Sequence, residues 1–277
     1  MRKSLSDAQV KEFAETGFLA PIKVMGEDEA LSFRRRLESY EQRSGRKLES
    51  NLRHKVNLLF TWCDELVRHP AILDSVEDII GPDILCWNVH LFAKEPDGAS
   101  YVSWHQDSTY WGLEPSDVVT AWVALSESTP ESGYMEVIPG THLIDALPHI
   151  DTFAKDNLLS RGQEIAVTVD DSKAVGLALH PGEMSLHHIK LVHGSKPNRS
   201  TYRRIGVAVR YIPTYVRQLR FRDSAMLVRG SDIYGNFDQE PRPAEDMAEA
   251  ALAAHQDAVS RVLSGLMEGT GKTEFRA

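Results

Sequence analysis

Cysteine is nearly missing. Only Cys63 and Cys86 occur, and neither belongs to a CxxC pair, which sets aside a disulfide framework and a thiolate zinc site. Long apolar runs are missing too: no window approaches the roughly 20 apolar residues of a membrane-spanning helix, and no apolar segment follows the early charges of "MRKSLSDAQVKEFAETG". These absences predict a cytoplasmic protein without a membrane partner. Positive charge is in deficit, with 31 Lys plus Arg against 40 Asp plus Glu, a formal charge of −9. That balance argues against a phosphate-backbone partner, so nucleic acid is not expected. No internal repeat, low-complexity tract or long linker interrupts the 277 residues, so 1–277 reads as one domain with a full core.

What is present changes texture along the chain. Residues 1–80 read as helical: "SDAQVKEFAETGF" spaces Val10, Phe13 and Phe18 about a turn apart behind a Ser or Asp cap, and "EDEALSFRRRLESYEQRSG" runs amphipathically to a Gly stop. "HPAILDSVEDIIGPD" opens on Pro and closes on Gly-Pro, a third helix. From residue 84 to 225 the chain breaks into short runs rich in Val, Ile, Thr and aromatics, among them "ILCWNVHLFAK", "DVVTAWVAL", "GEMSLHHIKLVHGS" and "RRIGVAVRYIP". Helix composition returns over 242–268. The fold class predicted is mainly β with flanking helices, an antiparallel barrel or jelly roll.

The chemistry concentrates in "SWHQDSTYWG", where an imidazole and a carboxylate, His105 and Asp107, stand two residues apart among aromatic rings. On a strand, the two side chains share one face about 7 Å apart, close enough for one small ion to bridge them. With a second imidazole they make the two-histidine, one-carboxylate facial triad of Fe(II) sites. Four histidines crowd one later region, His180, His187, His188 and His193. His193 stands out because "HGSKPNRSTYRR" follows it and delivers Arg203 and Arg204 to the next strand. Strand parity groups Arg204 with Gly206, Ala208 and Arg210, and small neighbours leave room for a carboxylate on the Arg204 fork. Taken alone, His105 and Asp107 read more simply as a hydrogen-bonded surface pair. His187 and His188 read as packing residues, one facing inward and one outward.

"HQD", the distant "HGS", "PNRS", the arginine eleven residues beyond His193, and "PGTH" inside "DVVTAWVALSESTPESGYMEVIPGTH" together resemble the phytanoyl-CoA dioxygenase-like group of Fe(II)/2-oxoglutarate oxygenases. The likeness runs from about Asn88 to Tyr211. It implies a double-stranded β-helix, with His105, Asp107 and His193 as iron ligands and Arg204 with Ser195 holding the distal carboxylate of 2-oxoglutarate. Trp122 would wall that pocket, and Gln106, Thr141 and Lys94 fall where members often line the site. The cofactors implied are Fe(II), 2-oxoglutarate and O2. Retention of Asp107 implies hydroxylation, since halogenating relatives lack this carboxylate.

Within the group the chain is most similar to hydroxylases of small organophosphonates. This implies a small zwitterionic substrate, 2-aminoethylphosphonate or its N-trimethyl form, attacked at the carbon next to phosphorus. Tyr110, Trp111 and Tyr134 would offer π faces to an ammonium, and Lys94 or Arg210 would meet the anionic end. The alternatives are an oxygenase of another metabolite or of an acyl-CoA, a metal-keeping sensor module without catalysis, and a zinc hydrolase. The last leaves Arg204 and Ser195 without work. A homo-oligomer stays open.

Overall fold

The chain is described here as a computed structural model over residues 2–268, 270 and 271. In chain order it contains α1 (Asp7–Thr16), β1 (Phe18–Lys23), α2 (Glu27–Ser44), α3 (Thr61–Val67), α4 (Pro70–Ile80), β2 (Ile84–Lys94), β3 (Val102–His105) and α5 (Ser108–Trp111). Then come β4 (Leu113–Glu114), β5 (Val119–Ala124), β6 (Met135–Val137), β7 (His149–Asp151), β8 (Gln163–Ile165), β9 (Val175–Leu177), β10 (Glu183–His188) and β11 (His193–Ser195). β12 (Arg204–Pro213), β13 (Arg217–Gln218), β14 (Ser224–Arg229), β15 (Asp238–Gln239) and α6 (Glu249–Leu266) complete it.

A seven-stranded sheet in the order β1-β10-β5-β12-β2-β14-β15 faces a four-stranded sheet, β3-β11-β6-β9. This is the double-stranded β-helix of the jelly-roll class. Alternation along the large sheet separates two environments. One face, with Val89 and Leu91 of β2, Val207 and Val209 of β12 and Ala121 and Val123 of β5, packs under Phe60, Trp62, Leu66 and Val76 of the helical layer. The other face turns toward the small sheet. There Trp122 and Ala208 meet Met135, Val137 and Leu177, and between them the sheets leave a cavity.

Several boundaries differ from the sequence reading. Gly17, at φ 84, ends α1, so Phe18 starts an edge strand instead of extending a helix. "GEMSLHHIKLVHGS" is two strands in different sheets, β10 and β11, because the chain turns between them and crosses the cavity. The C-terminal helix begins at Glu249 rather than 242, after an irregular stretch containing Pro241 and Pro243. Cys63 and Cys86 are unpaired and buried, and burial raises both thiols above their ordinary range. Among the described residues no helix is long and apolar enough to cross a membrane.

Candidate metal and cosubstrate site

β3 and β11 pair antiparallel with His105 directly opposite His193, bringing residues far apart in sequence to a ring separation of 4.1 Å. Asp107 reaches them differently from the strand expectation. β3 stops at His105, and the chain curls so that Asp107 sits in helical geometry (φ −63, ψ −34) at the start of α5. This fold-back brings its Oδ1 within 3.4 Å of His105 Nε2. One ligand atom from each of the three residues lies within 4.8 Å of the others, and all three side chains are buried.

Each imidazole is tethered through Nδ1. His105 donates to the Ser103 carbonyl and His193 to the Leu191 carbonyl, both at 2.9 Å. A carbonyl only accepts, so the proton stands on Nδ1 and the Nε2 lone pairs point into the cluster. Burial, and then the neighbouring His105, lower His193 to about 4, so it is neutral at pH 7. Burial alone would raise the Asp107 carboxyl, but the adjacent His105, with His193 and the Arg210 charge, outweighs it and holds the group far below the ordinary range. Two tethered imidazoles and one carboxylate, all buried, fit a divalent iron with open positions.

On the same cavity wall Arg204 is buried, and burial brings it to about 10, which leaves it charged. Its NH1 donates to the Gly133 carbonyl and, at 3.3 Å, to Ser195 Oγ, while Nε has no partner. Among the described residues no carboxylate lies within ion-pair distance of it, so a buried guanidinium awaits an acid. Its carbon lies 5.1 Å from the Trp122 ring. A Cβ at Gly206 would come within 2.0 Å of that indole, so glycine is required for Trp122 to lie across the strand. These features fit 2-oxoglutarate. Arg203, on the opposite parity, leaves the cavity and pairs with Glu41 of α2 and with Glu95.

The remaining sequence candidates divide. Tyr110, Trp111 and Arg210 line the cavity, but the ring faces expected for an ammonium already carry cations. The Arg210 carbon sits 5.3 Å from the Trp111 ring and that of Arg161 4.9 Å from Tyr110. Tyr134, Lys94, Gln106 and Thr141 lie outside the cavity lining. The Tyr134 ring covers Gly176. Lys94 is fully buried and donates to Ser195 Oγ, the Ser195 carbonyl and the Lys196 carbonyl at 2.5, 3.2 and 2.6 Å. Burial, then the nearby Arg204, lower it to about 6. It braces the strand that carries Ser195. Gln106 ties Lys190 to Leu147, and Thr141 ties Ile138 to Val192. Both are loop fasteners. His188 packs on His142. His187 lines the cavity with its ring 4.9 Å from His193. Sequence reasoning passed over Asn88, His90 and Thr120, which line the cavity too. Strand parity with Trp122 on β5 was the signal for Thr120, and parity with Lys94 on β2 the signal for Asn88 and His90.

Known proteins share this arrangement of sheets and sequence. The phytanoyl-CoA dioxygenase (PhyH) family model matches residues 13–206. A probable alpha-ketoglutarate-dependent hypophosphite dioxygenase of Stutzerimonas stutzeri is 31% identical over 157 residues, 56% of this chain and 54% of that protein. Peroxisomal phytanoyl-CoA dioxygenase of Homo sapiens is 31% identical over 146 residues, covering 51% and 42%. The matches thus span about half the length of these curated relatives. A solved structure of the non-heme monooxygenase ThoJ, apo, superposes with a TM-score of 0.82 at 35% identity over 93% of this chain and 96% of that one. Since the family match takes in more than half of the sequence, the chain belongs to the phytanoyl-CoA dioxygenase family of Fe(II)/2-oxoglutarate oxygenases.

Proposed function

We propose that this protein is an Fe(II)- and 2-oxoglutarate-dependent hydroxylase of a small acidic metabolite. Its first candidates are 2-aminoethylphosphonate and the N-trimethyl form, attacked at the carbon next to phosphorus. The observation that carries the oxygenase reading is the buried His105–Asp107–His193 cluster sharing one cavity with the Arg204 guanidinium, which among the described residues has no carboxylate partner. The substrate reading rests on the cationic lining and on a relative described as a hypophosphite dioxygenase, whose substrate is also a phosphorus oxyanion.

Iron with 2-oxoglutarate and O2 supplies the oxidising power that turns C–H into C–OH, with succinate and CO2 as coproducts. The chain's own residues do the rest. His105 and His193 present fixed Nε2 lone pairs, and Asp107 contributes one negative charge, so the donor set leaves a divalent ion with net positive charge for an anionic cosubstrate. Arg204 and Ser195 hold the distal carboxylate of that cosubstrate, while Trp122 closes the wall beside it and excludes water.

Two measurements test this reading. Anaerobic addition of Fe(II) and 2-oxoglutarate is expected to produce a visible charge-transfer absorption, and its absence overturns the oxygenase reading. A panel of aminophosphonates, other zwitterions and acyl-CoAs, scored by substrate-dependent succinate, is expected to respond to phosphonates. Turnover confined to acyl-CoA would reassign the substrate and keep the iron site.

A further inference from the structure

Four buried side chains of the large sheet form one row across adjacent strands. Arg210 of β12 is in register with Asn88 of β2 on one side and with Thr120 of β5 on the other, and Thr120 is in register with His187 of β10. All four line the cavity. Each holds a polar atom with no hydrogen-bond partner: Asn88 Oδ1, Arg210 Nε, Thr120 Oγ1 and His187 Nδ1. Buried polar groups ordinarily find partners, so four orphans side by side mark a place built for something else. Among the described residues the Arg210 guanidinium gives one bond, to the Ala208 carbonyl at 3.3 Å. Among the described residues no carboxylate oxygen lies within ion-pair distance of it, and the rings of Phe92 and Trp111, at 5.9 and 5.3 Å, hold its position.

From this we infer that Arg210, with Thr120 and Asn88, is the clamp for a tetrahedral oxyanion of the substrate, a phosphonate or phosphinate. The inference rests on the oxygenase reading above and names its substrate subsite. Three neighbouring strands about 4.8 Å apart supply these side chains side by side, so an anion over Arg210 is flanked by Thr120 and Asn88, which suits the out-of-plane oxygens of tetrahedral phosphorus better than the two coplanar oxygens of a carboxylate. The Asn88 amide presents nitrogen or oxygen according to its rotamer. Arg210 and Arg204 share a strand face six residues apart, about 20 Å along the strand, so one anion cannot occupy both. The row ends at His187, whose ring lies against the metal ligand His193. An oxyanion held there places its adjacent carbon next to the metal cluster, in keeping with hydroxylation beside phosphorus.

The test uses calorimetric binding of methylphosphonate and acetate to the protein, both metal-free and loaded with Ni(II) and 2-oxoglutarate, conditions without turnover. Methylphosphonate is expected to bind, and acetate about tenfold more weakly or worse. Arg210→Gln is expected to weaken methylphosphonate by about tenfold or more, and the near-isosteric Thr120→Val by about threefold to tenfold. Both variants should keep the anaerobic 2-oxoglutarate affinity of the parent within about twofold, the scatter of an untouched site. Absent methylphosphonate binding in both states, equal or tighter acetate, or unchanged affinity in both variants overturns the clamp. Loss of 2-oxoglutarate affinity in Arg210→Gln as large as that for methylphosphonate assigns the guanidinium to the cosubstrate and overturns it as well. A parent protein that binds methylphosphonate but never 2-oxoglutarate defeats the oxygenase reading and leaves the clamp standing.

Discussion

His105 and His193 are held by short tethers to their own backbone neighbourhood and the Asp107 carboxylate pairs with the His105 ring, so removing a ligand side chain leaves the surrounding strands paired. His105→Ala, Asp107→Ala and His193→Ala are therefore each expected to abolish Fe(II) binding and turnover while the circular dichroism spectrum stays that of the parent. Activity surviving His193→Ala but lost in His187→Ala would show that the wrong histidine has been assigned. The adjacent arginines offer a sharper comparison, because one faces the cavity and the other faces α2. Arg204→Lys is expected to raise the 2-oxoglutarate concentration for half-maximal rate by about tenfold or more, since an ammonium cannot reproduce a planar fork. Arg203→Lys should shift it little and lower stability instead. Equal effects of the two substitutions on the cosubstrate would defeat the parity assignment.

At the scale of elements, β12 works because of what it omits. Gly206 lets the Trp122 indole of β5 lie across the strand beside Arg204, and a methyl group there would overlap the ring. Gly206→Ala is expected to cost about 1–3 kcal/mol in stability and to weaken 2-oxoglutarate binding, measured by chemical denaturation and anaerobic titration. The helical layer has its own fastener. Asp78 of α4 accepts backbone N–H bonds from Lys3, Ser4 and Leu5 at 2.8 Å each. Burial by itself raises this carboxyl, but the three amides with the charge of Arg2 win and depress it. A depressed carboxyl stabilises the fold above its unfolded value near 4, and the contribution is lost as pH falls through the folded value. Asp78→Asn is thus expected to cost about 1–3 kcal/mol at pH 7, with the difference from the parent shrinking in acid. A constant difference from pH 7 to 3 would contradict this.

Across the whole molecule one buried ion pair joins distant parts of the chain. Lys55 Nζ donates to the carbonyls of Trp87 on β2 and Ser224 on β14 and to Glu240 beyond β15, at 2.6, 2.9 and 2.5 Å. Burial raises the Glu240 carboxyl, an effect that Lys55 and Ser224 oppose. Lys55→Met leaves that carboxylate uncompensated and is expected to cost about 3–5 kcal/mol, a fall in Tm on the order of 10 °C. Adding Glu240→Leu should restore part of the loss. A Tm unchanged in the single variant would show that the pair adds nothing net.

The sequence by itself determined the class of fold and most of the metal chemistry. Period-two alternation separated Arg204 from Arg203, and the spacing of "HQD", "HGS" and Arg204 carried the family likeness, because these are local properties of one chain direction. The tertiary structure decided what depends on neighbours across strands. Asp107 reaches His105 through a fold-back after β3 that alternation does not contain, and β10 and β11 belong to opposite sheets although one apolar run spells both. Tyr110 and Trp111 were legible as cavity rings, yet only packing shows their faces covered by Arg161 and Arg210. The row of Asn88, Arg210, Thr120 and His187 is drawn from four strands, and register across a sheet is set by turns and long-range pairing that no single segment encodes.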